Sequence, residues 1–147
     1  MKLTLVIATI FTFTLGFYST HSIAAPLENP KSFTDWCQQQ STLPPETKHT
    51  VEVLLEKAQT QNCKQANQKL TNLTSLSLRS NKISDIKPLS ALTNLTSLSL
   101  RSNKISDIKP LSALTKLEIL NINNNPIARK ICPVKPESIC QFDELHN

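Results

Sequence analysis

Two arginines are the residues of this chain whose spacing most clearly suggests a binding chemistry. Arg79 and Arg101 are 22 positions apart, within two identical stretches of sequence. If the structure repeats with that period, the guanidiniums lie about 5 Å apart and repel by roughly 0.8 kcal/mol in water. An acidic group between them would reverse that sign and could be held by paired hydrogen bonds. The alternative is that both arginines are solvated and merely came with a duplication.

Residue types that carry most catalytic chemistry are scarce. The only glycine is Gly16, near the N-terminus, which excludes the glycine-rich loops that bind phosphates and dinucleotides. Beyond that region the histidines are His49 and His146, which we interpret as surface residues rather than bases or metal ligands. Because no histidine, serine and carboxylate set converges, we expect neither enzymatic activity nor a cofactor.

The charge distribution limits the partners further. The formal charge is +5, and the 16 lysines and arginines are spread along the chain without a long basic run. Proteins typically bind nucleic acids and anionic membranes through clusters of basic residues. We therefore expect no nucleic-acid partner.

The start of the chain is typical of a secretory signal peptide, which we assign to residues 1–24. A basic residue in second place is followed by the mostly apolar stretch Leu3–Tyr18, and Ser22 and Ala24 fit the small-residue cleavage pattern. The mature protein should begin at Ala25 and be exported to a periplasmic, cell-surface or extracellular location. An uncleaved membrane anchor is the weaker alternative, because a span needs about 20 apolar residues. After signal removal we expect no membrane span.

Internal repetition dominates the rest of the chain. Residues 70–91 read LTNLTSLSLRSNKISDIKPLSA, residues 92–113 are identical to them at every position, and a degenerate third copy occupies residues 114–127. Each unit supplies about eight apolar side chains, worth roughly 1.5–3 kcal/mol apiece when fully buried. That burial requires neighbouring turns to cover one another. We therefore expect a solenoid whose strands pair in parallel, with the recurrent Asn81, Asn103 and Asn125 bonded to the backbone of adjacent turns.

The unit LxxLxxLxLxxNxIxDIxPLxx resembles the 22-residue leucine-rich repeat of bacterial internalins. The most specific marks are Asp85-Ile86 with Pro88-Leu89, and their counterparts in the second copy. The resemblance covers residues 70–127. It implies an α/β solenoid with a short parallel sheet on its concave face, and a role in protein recognition.

The flanking segments are interpreted as caps, because the ends of a solenoid would otherwise expose its core. Residues 25–69 are predicted to form a linker and a helical cap, with Ser32 as the N-cap of a first helix and Asp35 three residues on. A second helix should follow Pro44, and residues 128–147 should cover the last turn. The apolar residues expected to fill the caps are Phe33, Trp36, Val51, Leu54, Leu55 and Ala58 at one end, and Ile131, Val134, Ile139 and Phe142 at the other.

Four cysteines in an exported chain suggest two disulfides, for which three pairings exist. The caps of the expected solenoid are roughly 15 Å apart, whereas a disulfide needs Cα atoms within about 7 Å. This geometry leaves Cys37–Cys63 and Cys132–Cys140. A zinc site is the alternative, but the spacings match no compact zinc finger.

The candidate binding residues are those that alternate with the core leucines and should face the concave side of the sheet. They form three rows across the turns: Ser75, Ser97 and Ile119; Ser77, Ser99 and Asn121; Arg79, Arg101 and Asn123. Three strands of about five residues offer roughly 250 Å², against about 800 Å² per partner in a standard interface. We predict a secreted, non-catalytic module that binds a protein partner. The alternative is a structural or adhesive component of the cell envelope that binds an acidic polysaccharide through the arginine row.

Overall fold

The computed structural model describes residues 30–143, so the predicted signal peptide and His146 lie outside the described residues. Three α-helices come first, followed by a parallel sheet whose strands alternate with 3-10 turns. One continuous core runs from the helices through the repeats to the C-terminal cap. The predicted solenoid with a short parallel sheet is confirmed.

The N-terminal cap consists of helices α1 (Phe33–Gln38), α2 (Pro45–Ala58) and α3 (Cys63–Thr71). The first two were predicted, and α2 begins with proline, whose missing N–H needs no partner in a first turn. The sequence analysis missed α3. It buries only Ala66 and Leu70 along its length, too few apolar residues to show helical periodicity. Its one local signal is Asn62, whose side chain accepts a hydrogen bond from the Gln65 N–H at 3.0 Å.

A reciprocal capping box starts α1. The Asp35 N–H donates to the Ser32 hydroxyl at 3.2 Å, and the Ser32 N–H donates to the Asp35 carboxylate at 2.9 Å. Hydrogen bonding from the side chain and the backbone of Ser32 lowers the pKa of Asp35 from its ordinary value of 3.8. This contribution to stability is therefore complete above the unfolded pKa and is lost as the pH falls through the lower folded pKa.

We expect Ser32→Ala to lower the free energy of unfolding by about 1 kcal/mol at pH 7, because the helix loses its N-cap. The difference from the parent chain should shrink as the pH falls from the ordinary pKa of 3.8 through the lower folded pKa of Asp35, where its carboxylate becomes protonated. Urea denaturation at pH 7 and about pH 2 measures both values. An equal loss at the two pH values would show that the carboxylate contributes nothing to the cap.

The sheet has strands β1 (Ser75–Ser77), β2 (Ser97–Ser99), β3 (Ile119–Asn121) and β4 (Cys140–Gln141), paired in that order and all parallel. Corresponding positions of the repeats are in register. Two features differ from expectation. The repeat strands have three residues rather than about five, and the C-terminal cap adds β4, which its sequence does not reveal because it does not share the repeat.

The chain returns from each of the first two strands through a 3-10 turn, Lys87–Ala91 and Lys109–Ala113. The carboxylates of Asp85 and Asp107 each accept a hydrogen bond at 3.0 Å from the N–H two residues on. This bond forms the Asx turn that leads into the proline. The aliphatic side chains of the repeats fill the interior, including Leu78, Ile83, Leu89, Leu92, Leu95, Leu98, Leu100, Ile105, Leu111 and Leu114, all fully buried.

Asn103 and Asn125 bond to the backbone of adjacent turns, as predicted, whereas the Asn81 side chain donates only to the carbonyl of Arg79 in its own turn. The Asn103 side chain accepts from the N–H groups of Asn81 and Ile83 and donates to the carbonyls of Leu78 and Leu100, at 2.7–3.1 Å. Asn125 accepts from the Ile105 N–H at 3.1 Å in the same manner. These side chains thus join each turn to the one before it.

Helix α2 takes the place of a preceding turn at the N-terminal end. Thr47 and Thr50 are buried, and their hydroxyls donate to the side chain and the carbonyl of Asp85. His49 Nε2 donates to the carbonyl of Asn81 at 2.7 Å. His49 is therefore half-buried and structural, not the surface residue that the sequence suggested. The cap thus provides hydrogen-bond partners for polar groups of the first turn, in the place where a preceding repeat would otherwise provide them.

The disulfides are Cys37–Cys63 and Cys132–Cys140, as predicted. In the C-terminal cap, Val134 is buried and Ile139 and Phe142 are partly buried against the core. The prediction that Ile131 also covers the last turn is wrong, because its side chain is 65% exposed. Counted by the repeat period, Ile131 stands at the position of Lys109, which faces solvent.

Candidate functional site

The concave face of the sheet is the site that the sequence analysis identified. Leu76, Leu98 and Leu120 pair across the first three strands and are buried. Successive side chains of a strand point to opposite sides. The residues before and after these leucines therefore lie on the outer, concave face, and the first two predicted rows are in register.

The two serine rows make the first two turns of this face small and polar. Ser75 and Ser77 are exposed, whereas Ser97 and Ser99 are half-buried between neighbours on both sides. The second row continues to Gln141 through the pairing of β3 with β4. A partner can thus approach the backbone of the sheet closely, since no large side chain stands on its first two strands.

Ile119 interrupts the first row with an apolar side chain. It stands where the other two turns have serine, and half of its surface is exposed. Among residues 30–143, the exposed large apolar side chains are Ile119 and Ile131. An apolar side chain beside a polar surface is the usual form of an anchor in a protein interface.

The third row lies just beyond the strands and carries the charge. The Ser80 N–H donates to the carbonyl of Arg101 at 3.1 Å, which sets Arg79 and Arg101 on neighbouring turns. Both side chains are exposed, and neither forms a salt bridge with another residue of the described range 30–143. The two guanidiniums are therefore available to an acidic group.

An acidic residue that the sequence analysis missed ends the same row. Since Asn121 pairs with Gln141, Asp143 follows as the neighbour of Asn123. Its carboxylate accepts a hydrogen bond from the Asn124 N–H at 2.8 Å. The row is thus positive at the N-terminal cap and negative at the C-terminal cap. The position of Asp143 in this row follows only from the pairing of β4 with β3, so no periodic signal in the sequence could have predicted it.

The arrangement offers contacts for noncovalent binding. Within residues 30–143, no group of three or more histidine, cysteine and carboxylate side chains could hold a metal ion. All four cysteines are in disulfides. Every helix in the described part of the chain is too short or too polar to cross a membrane.

Comparison with known proteins agrees with the repeat pattern. The family model of leucine-rich repeats in two copies matches residues 71–111 and 93–136. Internalin C2 of Listeria monocytogenes is similar at 39% identity, over 45% of this chain and 29% of that one, with a TM-score of 0.42. The internalin inlF of the same organism is similar at 30% identity, over 60% and 28% of the chains, with a TM-score of 0.47.

The chain spans less than a third of the length of either internalin. No curated protein matches it. The family match, the in-register strands and the repeated Asp-Ile and Pro-Leu pairs all fall in one region. Residues 71–136 therefore form a stack of leucine-rich repeats, and their sequence pattern resembles that of internalin repeats.

Proposed function

We propose that the protein is an exported, non-catalytic module that binds a protein partner through its concave sheet. The observation that carries the proposal is Ile119, an exposed apolar side chain within rows of small polar residues. Binding would bury this side chain against the partner and bring backbone and hydroxyl groups of the serine rows within hydrogen-bonding distance.

The size of the sheet limits the affinity of that interaction. Because its strands have only two or three residues, the sheet offers a surface area well below the roughly 800 Å² that each partner contributes to a standard interface. A partner must therefore extend beyond the sheet onto Arg79 and Arg101 at one side and onto the caps. We expect a modest affinity in which Ile119 is the central contact.

Site-specific photo-crosslinking tests the proposal. A photoreactive aromatic residue at Ser77 should crosslink the mature protein to one defined protein of its native extracellular material. The same residue at Ser41, which is exposed between α1 and α2, is the matched control. Ile119→Asp should abolish the Ser77 crosslink. A crosslink that persists in this variant, or one that forms equally from Ser41, would place recognition elsewhere.

Export is a separate expectation. The two disulfides are consistent with an oxidising compartment, and the first 24 residues have the pattern of a signal peptide. Mass spectrometry of the exported protein should find Ala25 at the N-terminus. Recovery of the exported form with residues 1–24 intact would contradict cleavage.

The exposed arginines favour a second candidate, an envelope component that binds acidic polysaccharide. Replacing both Arg79 and Arg101 by alanine should weaken binding to polygalacturonate by about 1–3 kcal/mol at low salt, because charge-assisted hydrogen bonds are lost. Lysine at both positions should restore only part of it, since an ammonium cannot form the bidentate pair. Calorimetry at low salt measures the change, and an unaltered affinity would identify the arginines as solvated bystanders.

A further inference from the structure

The return side of the solenoid is the side formed by the 3-10 turns that lead from one strand to the next. This side ends after the second repeat. The 3-10 turns Lys87–Ala91 and Lys109–Ala113 pack against each other. The third copy then departs from the pattern, because it reads Ala-Arg-Lys-Ile-Cys-Pro from residue 128 where the second reads Ser-Asp-Ile-Lys-Pro-Leu from residue 106. The second turn therefore lacks the kind of neighbour that it provides for the first.

Two substitutions explain the departure. The Lys104 N–H donates to the carbonyl of Ile83 at 2.7 Å and so joins the first two turns. The residue in phase with Lys104 is Pro126, which has no N–H to offer Ile105. The residue in phase with buried Ile108 is Lys130, whose ammonium group donates to the carbonyl of Asp143 at 2.7 Å. The return segment of the third turn therefore cannot stack on that of the second as the return segment of the second stacks on that of the first.

The missing neighbour leaves residues of the second turn more exposed than the identical residues of the first turn. Ser90 and Ala91 of the first turn are half-buried, whereas Ser112 and Ala113 of the second are exposed. A cleft of about 450 Å³ lies between Ser106–Lys109 and the start of the C-terminal cap. Ile131 forms part of its wall and is 65% exposed.

The charge on the cleft indicates what could enter it. Lys109 and Arg129 line it together with a single carboxylate, that of Asp107. In the first turn the equivalent lysine, Lys87, lies 3.7 Å from the carboxylate of Asp85. Neither Lys109 nor Arg129 forms a salt bridge within residues 30–143. The cleft thus combines an apolar wall with two cations that an acidic group could neutralise.

We propose that this cleft binds an extended segment of a partner protein in which aliphatic residues and a proline accompany a carboxylate. The chain itself supplies the template, since the Asp-Ile-x-Pro-Leu segment of the second turn leads into the 3-10 turn that packs against the corresponding side of the first turn. The aliphatic residues of the partner would pack against Ile131 and the second turn. Its carboxylate would pair with Lys109 and Arg129. The partner segment would therefore carry one acidic residue more than the template does.

Two synthetic peptides and the isotope-labelled mature chain test the proposal by NMR. One peptide has the sequence of residues 105–114, ISDIKPLSAL, and the other replaces its lysine with glutamate, ISDIEPLSAL. Both should shift the amide signals of Ile108, Ala128 and Ile131 saturably. The glutamate peptide should bind at least threefold more tightly at low salt. A scrambled peptide that shifts these signals equally, or absence of any shift there, would overturn the proposal.

The two exposed isoleucines provide matched variants. Ile131→Asp should abolish peptide binding and leave the signals of the sheet unchanged, because the side chain is already exposed in the folded protein. Ile119→Asp, on the concave face, should leave peptide binding unchanged, which separates this site from the proposed protein interface. If the same amides shift with protein concentration alone, the cleft belongs to a second copy of the chain and the proposal is wrong.

Discussion

Replacement of Asn103 by alanine is expected to lower the free energy of unfolding by about 3–5 kcal/mol, because several buried backbone groups lose their partners at about 1–3 kcal/mol each. The side chain is 8% exposed and bonds to two N–H groups and three carbonyl oxygens. Alanine has neither a donor nor an acceptor in its side chain to replace those bonds. Urea denaturation followed by circular dichroism measures the change.

Asn81 provides the matched control. It occupies the same position of an identical repeat, but its side chain donates only to the carbonyl of Arg79, at 3.0 Å. Helix α2 rather than another turn lies beside it. We expect Asn81→Ala to cost less than about 1 kcal/mol, the net value of one hydrogen bond. Equal losses in the two variants would mean that the asparagine bonds between turns contribute little to stability.

Removal of the disulfide in the N-terminal cap should have the second large effect. Cys37 and Cys63 are 26 residues apart, whereas Cys132 and Cys140 are 8 apart. Loop-closure entropy predicts a loss of about 3.5 kcal/mol when the first pair is replaced by alanine, and about 2.5 kcal/mol for the second. Each double variant can be compared with the parent chain by chemical denaturation.

The location of the damage should also differ between the two variants. Without Cys37–Cys63, the helices lose the link between α1 and α3, and the contacts of α2 with the first turn are loosened with them. Hydrogen exchange should then accelerate at Thr50 and Asn81 before the last strands are affected. If the variant without Cys132–Cys140 proved the less stable of the two, the C-terminal cap rather than loop length would determine the cost.

The features that recur with the repeat could be predicted from the sequence. The register of Ser75, Ser97 and Ile119 follows from a fixed period, and so does the phase of the asparagines. The disulfide pairing follows from the distance between the two ends of a solenoid. In each case one physical rule applies to every turn, so an isolated sequence contains enough information.

The features that occur once could not be predicted in the same way. Helix α3 has few apolar residues, β4 depends on pairing with β3, and His49 is ordered by a carbonyl that is distant in sequence. The position of Asp143 in the charged row follows only from the register of β4. Such features depend on contacts between segments of unrelated sequence, which periodicity does not report.

The identity of the first two repeats has a consequence for how the molecule could grow. The second turn offers the first a surface that another copy of the unit would also match, because the two units are identical at every position. We expect a chain with one inserted unit to fold and to melt at a higher temperature, as thermal denaturation would show. Each insertion would also bring one more guanidinium to the row. If the row binds a polyanion as proposed, the number of arginines that contact it would rise by one with each inserted repeat, without any new kind of contact.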